Sequence, residues 1–254
     1  MDTQKIRSVS PATVLSSLSE CGYAHVKVPV SLDTFEQLSS EIGTIELRTD
    51  IKIDRKGEAL QAQNRIATGR PSSYQADPLD FHSDNPRMNV LAWYCVAQDE
   101  TDGATRLIDT SNVAEYFSED ELAVLTGINV TYSIWLPGSD RESFLNEPLL
   151  TKTPFGYRTY YQSWFLLDRY SDEQASALNR FAGYISQMSE TNSIGVKLAK
   201  GESLFIDNRR ILHGRNALGS DSKRHLIRLY IRSAYLWGLS ADLRLGESSK
   251  ESSH

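Results

Sequence analysis

Only two cysteines, Cys21 and Cys95, occur among 254 residues. No disulfide framework is implied, and a reducing cytoplasm is the expected compartment. Long apolar runs are missing, and Met1-Asp-Thr-Gln-Lys has no apolar segment of the kind that opens a secretion signal. The expectation is a protein neither secreted nor inserted in a membrane. Positive charge is in short supply: 27 Lys and Arg face 33 Asp and Glu, a net charge of −6. That balance argues against a general nucleic-acid or anionic-membrane surface. No glycine-rich strand-to-helix turn supports a parallel doubly wound sheet, and neither an internal repeat nor a low-complexity block divides the chain. What remains is 40% hydrophobic and 24% charged, the composition of a soluble globular protein with ample core.

The order of elements follows from periodicity and punctuation. Ser10-Pro11 opens a helix that ends near Gly22, and Ser31 opens a second that stops at Gly43. Strands are predicted at 23–30 and 46–53, with Lys56-Gly57 turning the chain. The polar stretch 58–79, with Pro71 and Pro78, reads as a loop at the site, a lid or substrate wall, the alternative being a passive connector. Phe81 begins a strand, 88–96 is an apolar run suited to a buried strand, and 104–109 follows a turn at Glu100-Thr-Asp-Gly103. Ser118-Glu-Asp-Glu121 reads as a capped helix start. Strands are expected around 129–136, at 157–161 and at Leu166. The clearest helix is 171–188, with Ala175, Leu178, Phe181, Ala182 and Ile185 on one stripe. Strands at 194–198 and 201–206 lead to His213. Residues 246–254 read as a disordered tail, leaving 1–245 as a single domain. Many short strands with helices outside them fit an α+β, mainly β class: a double-stranded β-helix (jelly-roll, cupin-like) core with flanking helices.

One stretch carries chemistry. In Phe81-His82-Ser83-Asp84, an extended chain would place His82 and Asp84 on one face. His213, in Asp207-Asn-Arg-Arg-Ile-Leu-His213, supplies a second imidazole. Two histidines and one carboxylate suit a borderline divalent metal, and a His-x-Asp pair with one distant His is the ligand set of non-haem Fe(II) centres with open positions. After a turn at Gly219-Ser220-Asp221-Ser222, Arg224, Arg228 and Arg232 fall on one strand face with Leu226 and Tyr230. His225, Ile227, Leu229 and Ile231 take the other face. Guanidinium groups along an apolar strand are costly to bury unless anions meet them, and their planar fork matches carboxylates. A dicarboxylate near the metal would be such an anion; solvated arginines on an edge strand are the alternative.

In order and spacing, Phe-His82-Ser-Asp84, Asp102-Gly103-Ala-Thr105, Asp207-Asn-Arg-Arg-Ile-Leu-His213-Gly-Arg and Arg224-His-Leu-Ile-Arg228 resemble the taurine dioxygenase-like family. These are Fe(II)- and 2-oxoglutarate-dependent oxygenases that include clavaminate synthase-like enzymes. The resemblance spans roughly Leu79 to Arg232. It implies that His82, Asp84 and His213 bind Fe(II) and that Arg224 and Thr105 hold the distal carboxylate of 2-oxoglutarate. It also implies that Arg228 meets an anionic group of the substrate. Asp102-Gly103 stands where the family often has Gly-Gly. The implied activity consumes O2, releases succinate and CO2, and oxidises an aliphatic C–H. With Asp84 present, hydroxylation is the default over desaturation, epoxidation or cyclisation.

Arg228 points to a small substrate with a carboxylate or other anionic group, such as a free amino acid or amino-acid-derived metabolite. Asp77, Asn85 and Arg87 flank the metal stretch as candidates for its polar part, or else are surface and turn residues. Trp93, Tyr94, Trp135 and Trp164 are assigned to the core, and His25 and His225 to structural roles. Two readings of other classes stay open: a silent jelly-roll binding a small molecule, and a cupin-type isomerase or dioxygenase without the dicarboxylate grip. Oligomeric state is not legible.

Overall fold

Helix ends are set by the residues expected to set them. Ser10 accepts a hydrogen bond from the Thr13 N–H, Pro11 opens α1 (Pro11–Cys21), and Gly22 closes it at φ 75°, so the end groups of the helix find partners. Ser31 caps α2 (Leu32–Ile42) in the same way, and Gly43 follows its last turn. Full capping boxes, Ser118 with Glu121 and Ser171 with Gln174, begin α3 (Glu119–Thr126) and α4 (Asp172–Thr191). The computed structural model describes residues 9–52, 76–135, 142–163, 170–219 and 221–234.

Every strand pairing among these residues is antiparallel. A five-stranded sheet runs in the order β1 (Tyr23–Val26), β11 (Ser203–Asp207), β4 (Val90–Ala97), β13 (His225–Arg232), β2 (Thr44–Lys52). A four-stranded sheet runs β10 (Ile194–Val196), β5 (Thr105–Asp109), β12 (Ile211–Arg215), β3 (Leu79–His82). Two hairpin ribbons, β6 (Asn129–Trp135) with β7 (Glu142–Pro148) and β8 (Leu150–Thr153) with β9 (Gly156–Thr159), complete the β structure.

The period of two along each strand sorts the core into three layers. Val90, Ala92 and Tyr94 of β4, with Ile227, Leu229 and Ile231 of β13, pack outward against Val14, Leu18, Phe35 and Leu38 of α1 and α2. Leu91, Trp93 and Cys95 point the other way and meet Leu107 and Ile211 of the second sheet. The outer face of that second sheet, with Phe81, Ile108 and Leu212, is covered by α4, α3 and the β8–β9 ribbon. Two antiparallel sheets thus face each other across an apolar layer, with helices outside both. Among the described residues no helix is long and apolar enough to cross a membrane.

Several expectations shift in detail. β1 stops at Val26 and β2 begins at Thr44. β7 and β8 were not predicted; their ribbons close through backbone pairing, which leaves little trace in polar text such as Glu142-Ser-Phe-Leu-Asn-Glu. The stripe of α4 is rotated: Ala177, Phe181, Tyr184, Ile185 and Met188 are buried, whereas Ala182 is exposed. Tyr184 explains the rotation, because its ring joins the core while its hydroxyl bonds Asn112 Oδ1 at 3.1 Å. The Lys56-Gly57 turn, positions 58–75 of the predicted loop, Leu166, Trp164 and the tail 246–254 lie outside the described residues, as does the Trp135 side chain.

Candidate metal centre and cosubstrate pocket

Strand parity brings the predicted residues to one place. Ile211, His213 and Arg215 of β12 share the inward face with Thr105 and Leu107 of β5, and Arg228 lies opposite Trp93 on the facing sheet. His82, the last residue of β3, is paired directly across from His213. Both are buried, and their ring centroids are 4.3 Å apart. Asp84 joins them by a different route from the one expected. β3 ends at His82, so the turn that follows, and not a shared strand face, delivers the carboxylate. Its Oδ1 lies 3.6 Å from His82 Nε2 and its Oδ2 3.8 Å from His213 Nε2. One donor atom from each of the three residues falls within 4.8 Å of the others.

The hydrogen bonding suits a metal. His82 Nδ1 lies 2.7 Å from the Asp80 carbonyl, a contact that fixes the proton on Nδ1 and leaves the Nε2 lone pair facing Asp84, as supporting contacts do for metal-binding histidines. Neither ring nitrogen of His213 has a hydrogen-bond partner among the described residues, an arrangement costly for a buried imidazole without a further ligand. Burial, His82 and the Arg228 cation hold the His213 pKa well below its ordinary value, against the opposing pull of Asp84; the ring stays neutral and able to ligate. Burial disfavours the Asp84 anion, but Arg228 and the two histidines overcome that and hold its carboxyl far below the usual range. Two imidazole nitrogens and one carboxylate, converging in a largely enclosed site, fit Fe(II).

Arg224 and Thr105 sit at one end of the adjoining pocket. Arg224 Nε donates to the Gly103 carbonyl at 3.0 Å, and Nη2 approaches Thr105 Oγ1 at 3.4 Å. Gly103 adopts φ +87°, and a Cβ there would fall 2.3 Å from Gln98 Oε1, so glycine is needed for its carbonyl to reach the guanidinium. Burial, reinforced by the nearby Arg215 cation, lowers the Arg224 pKa to about 10; the group remains charged at neutral pH. The pocket is lined by His213, Thr105, Arg215, Arg224 and Arg228, with Ile51, Leu79 and Trp93 as apolar walls and, among the described residues, no carboxylate. Gly214 also belongs to this wall, and a Cβ on it would come 2.7 Å from the Leu79 carbonyl.

Arg228 is buried as expected, but in this structure its anion is a protein one. Nη1 donates to Asp84 Oδ2 at 2.8 Å, Nε approaches Thr49 Oγ1 at 3.4 Å, and the guanidinium lies over the Tyr230 ring at 4.7 Å. Arg232, on the same face by parity, is exposed and pairs with Glu46. Asp77 and Asn85 do not line the pocket. Asp77 is exposed and offers its carbonyl to Arg215 Nη2 at 3.0 Å; Asn85 Oδ1 caps the Arg87 N–H at 3.0 Å in the turn. His25 pairs with Glu202 and His225 with Asp50, consistent with structural roles. Sequence reasoning missed Arg215, in the pocket wall, and Asn208, which bonds the Asp84 backbone. Trp93 is core as expected, and its ring also abuts His213 at 5.1 Å.

Facing antiparallel sheets hold, among the described residues, one two-histidine, one-carboxylate cluster with the donor set for a metal ion. The chain belongs to the taurine catabolism dioxygenase TauD, TfdA family, whose model matches residues 5–230; it is a dioxygenase of that family. No curated protein matches it by sequence. Among solved structures it is similar to asparagine oxygenase (AsnO), at 14% identity and TM-score 0.64, over 85% of this chain and 76% of that one. It is also similar to the non-haem iron oxygenase OrfP, crystallised with Fe, succinate and (3S)-hydroxy-L-Arg, at 17% identity and TM-score 0.64, over 95% and 83% of the two chains. A third is PvcB, an Fe, α-ketoglutarate dependent oxygenase from an isonitrile synthetic pathway, at 14% identity and TM-score 0.60, over 88% and 80%. At these identities the likeness is one of fold.

Proposed function

We propose that the protein is an Fe(II)- and 2-oxoglutarate-dependent oxygenase that hydroxylates an aliphatic C–H of a small carboxylate-bearing substrate, a free amino acid or amino-acid-derived metabolite. The observation that carries this reading is the meeting of His82, Asp84 and His213 donor atoms within 4.8 Å beside a pocket lined, among the described residues, by three arginines and no acid. Family membership over residues 5–230 supports it. The hydroxyasparagine bound by asparagine oxygenase and the hydroxyarginine bound by OrfP support the amino-acid class. We read the two facing sheets as a double-stranded β-helix, or jelly-roll, that forms one domain over 1–245. Two unpaired cysteines suit a cytoplasmic location.

The residues divide the work. His82 and His213 would hold iron through Nε2, with Asp84 as the anionic ligand. When bound, iron with 2-oxoglutarate and O2 supplies the oxidising power, releasing succinate and CO2. Arg224 and Thr105 would grip the distal carboxylate of 2-oxoglutarate through a charged fork and a hydroxyl, fixing the cosubstrate at the end away from its reacting keto acid. Trp93, Ile51 and Leu79 exclude water along its length. Arg228 would orient the substrate through its carboxylate while keeping one hydrogen bond on Asp84, so the substrate anchor and a metal ligand share one cation. Desaturation, epoxidation or cyclisation would use the same residues and differ in the fate of the oxidised substrate carbon.

Anaerobic titration of the apoprotein with Fe(II) and 2-oxoglutarate tests this directly. The expected result is the weak visible charge-transfer absorption of the chelate, followed by succinate release when amino acids and O2 are supplied. Absence of the band in the wild-type protein would overturn the oxygenase reading.

A further inference from the structure

Asp84 has the least local support of the three candidate ligands. His82 and His213 sit on paired strands, but Asp84 lies in the turn after β3, where no strand ladder holds it. We infer that Asn208 is the positioning residue for this carboxylate arm, a proposal that rests on the reading of His82, Asp84 and His213 as a metal site. Asn208 occupies the turn between β11 and β12 and is 2% exposed. Its amide oxygen accepts the Asp84 N–H at 2.9 Å. Its amide nitrogen donates to the Asn85 carbonyl at 3.1 Å and to the Met88 carbonyl at 2.9 Å. One planar group thus brackets the whole turn from Asp84 to Met88.

The side chain is suited to this by its chemistry. The bracket needs one acceptor and two donors on a single short arm, which a primary amide supplies and a carboxylate or aliphatic group does not. Asn208 also sits in the short turn that crosses from β11 in one sheet to β12 in the other, five residues before His213. Tying the metal turn to that crossover fixes Asp84 relative to His213, while the β3–β12 ladder fixes His82. The neighbouring residue is held as well: Ser83 N–H donates to the Tyr161 carbonyl at 2.8 Å and Gln162 Nε2 donates to the Ser83 carbonyl at 2.5 Å. Ser83 is fixed by the segment after β9 and Asp84 by Asn208.

A second buried asparagine provides a matched control. Asn89 Nδ2 donates to the Ser233 carbonyl at 2.9 Å and its Oδ1 accepts the Ser233 N–H at 2.8 Å. Through these side-chain bonds it brackets the residue after β13. The test uses the full chain as Asn208→Ala, Asn89→Ala and wild type, titrated anaerobically with Fe(II) by calorimetry. Thermal unfolding and amide hydrogen exchange of the apoproteins are measured beside it. The expected result is a loss of roughly tenfold or more in Fe(II) affinity for Asn208→Ala, with exchange protection lost at Asp84 and Met88 but kept in β11 and β12. Asn89→Ala should lower thermal stability and leave Fe(II) affinity unchanged. Asn208→Asp keeps the acceptor for the Asp84 N–H and should retain more affinity than alanine; it also serves if the alanine variant does not fold. Wild-type affinity in Asn208→Ala, or equal losses in both alanine variants, would overturn the proposal. Failure of the wild type to bind Fe(II) would instead remove the metal-site reading on which it rests.

Discussion

Two arginine–aspartate pairs in this molecule use the same groups for different ends. Arg210 grips Asp109 with both arms, Nε to Oδ1 at 2.9 Å and Nη2 to Oδ2 at 2.6 Å, and spends its remaining donors on the Ser19 and Glu20 carbonyls at the end of α1. That pair is surrounded by backbone oxygens and ties a helix to the second sheet. Arg228 reaches Asp84 with one bond at 2.8 Å, and the carboxylate's other neighbours are imidazole nitrogens at 3.6 and 3.8 Å. The first arrangement is a two-pronged contact closed within the protein; the second leaves imidazole and carboxylate electron pairs converging on a point that no cation of the described residues fills. What separates a structural ion pair from a candidate ligand is therefore the company it keeps.

The sharpest way to break that contrast is to neutralise each aspartate or its partner and ask which property falls. Asp84→Asn is expected to abolish the charge-transfer band and reduce succinate formation to about 1% of wild type or less, since the metal loses its anionic ligand; a coupled turnover assay reads it. Arg224→Ala should leave Fe(II) binding intact and weaken 2-oxoglutarate binding by about 10–100-fold, the worth of hydrogen bonds to a charged group, as measured by titration of the Fe(II)-loaded protein. Arg210→Ala should do the reverse of the first: a loss of roughly 3 kcal/mol in denaturant unfolding, with the band retained.

Acidification sharpens the same comparison. His213 has its pKa depressed below the ordinary 6.5 and Asp84 below the ordinary 3.8. The unfolded chain therefore takes up protons that the folded apoprotein refuses. The contribution of His213 is present above pH 6.5 and is lost progressively as pH falls below it; that of Asp84 is lost only below about 3.8. Unfolding temperature of the apoprotein should thus begin to fall near pH 6.5, and His213→Asn should remove that first limb. The smallest effect is expected at Arg232, whose pair with Glu46 is exposed: Arg232→Ala should shift stability by no more than about 0.5 kcal/mol, although it shares a strand face with Arg228.

Much of the layout was legible because it depends on local rules. The caps at Ser10, Ser31, Ser118 and Ser171 are short-range hydrogen bonds, and the alternation along β4 and β13 follows from the pleat. The rotation of α4 was not legible, because an apolar stripe does not say whether an amphipathic Tyr184 or a small Ala182 faces the core. Strand parity predicted that Arg224, Arg228 and Arg232 share a face, yet it could not say that β13 is an interior strand at Arg228 and exposed at Arg232.

From the sequence alone came the ligand types, their order along the chain and the arginines spaced behind His213, since these are properties of residue identity and spacing. Tertiary structure alone decided that Asp84 arrives on a turn, that Arg228 rests on it, and that Asn208 and Gln162 both clamp the stretch that carries it. Those contacts join residues from 79 to 144 positions apart. Their partners are chosen by sheet register and by where the turns between the sheets pack, which no local pattern in the chain encodes.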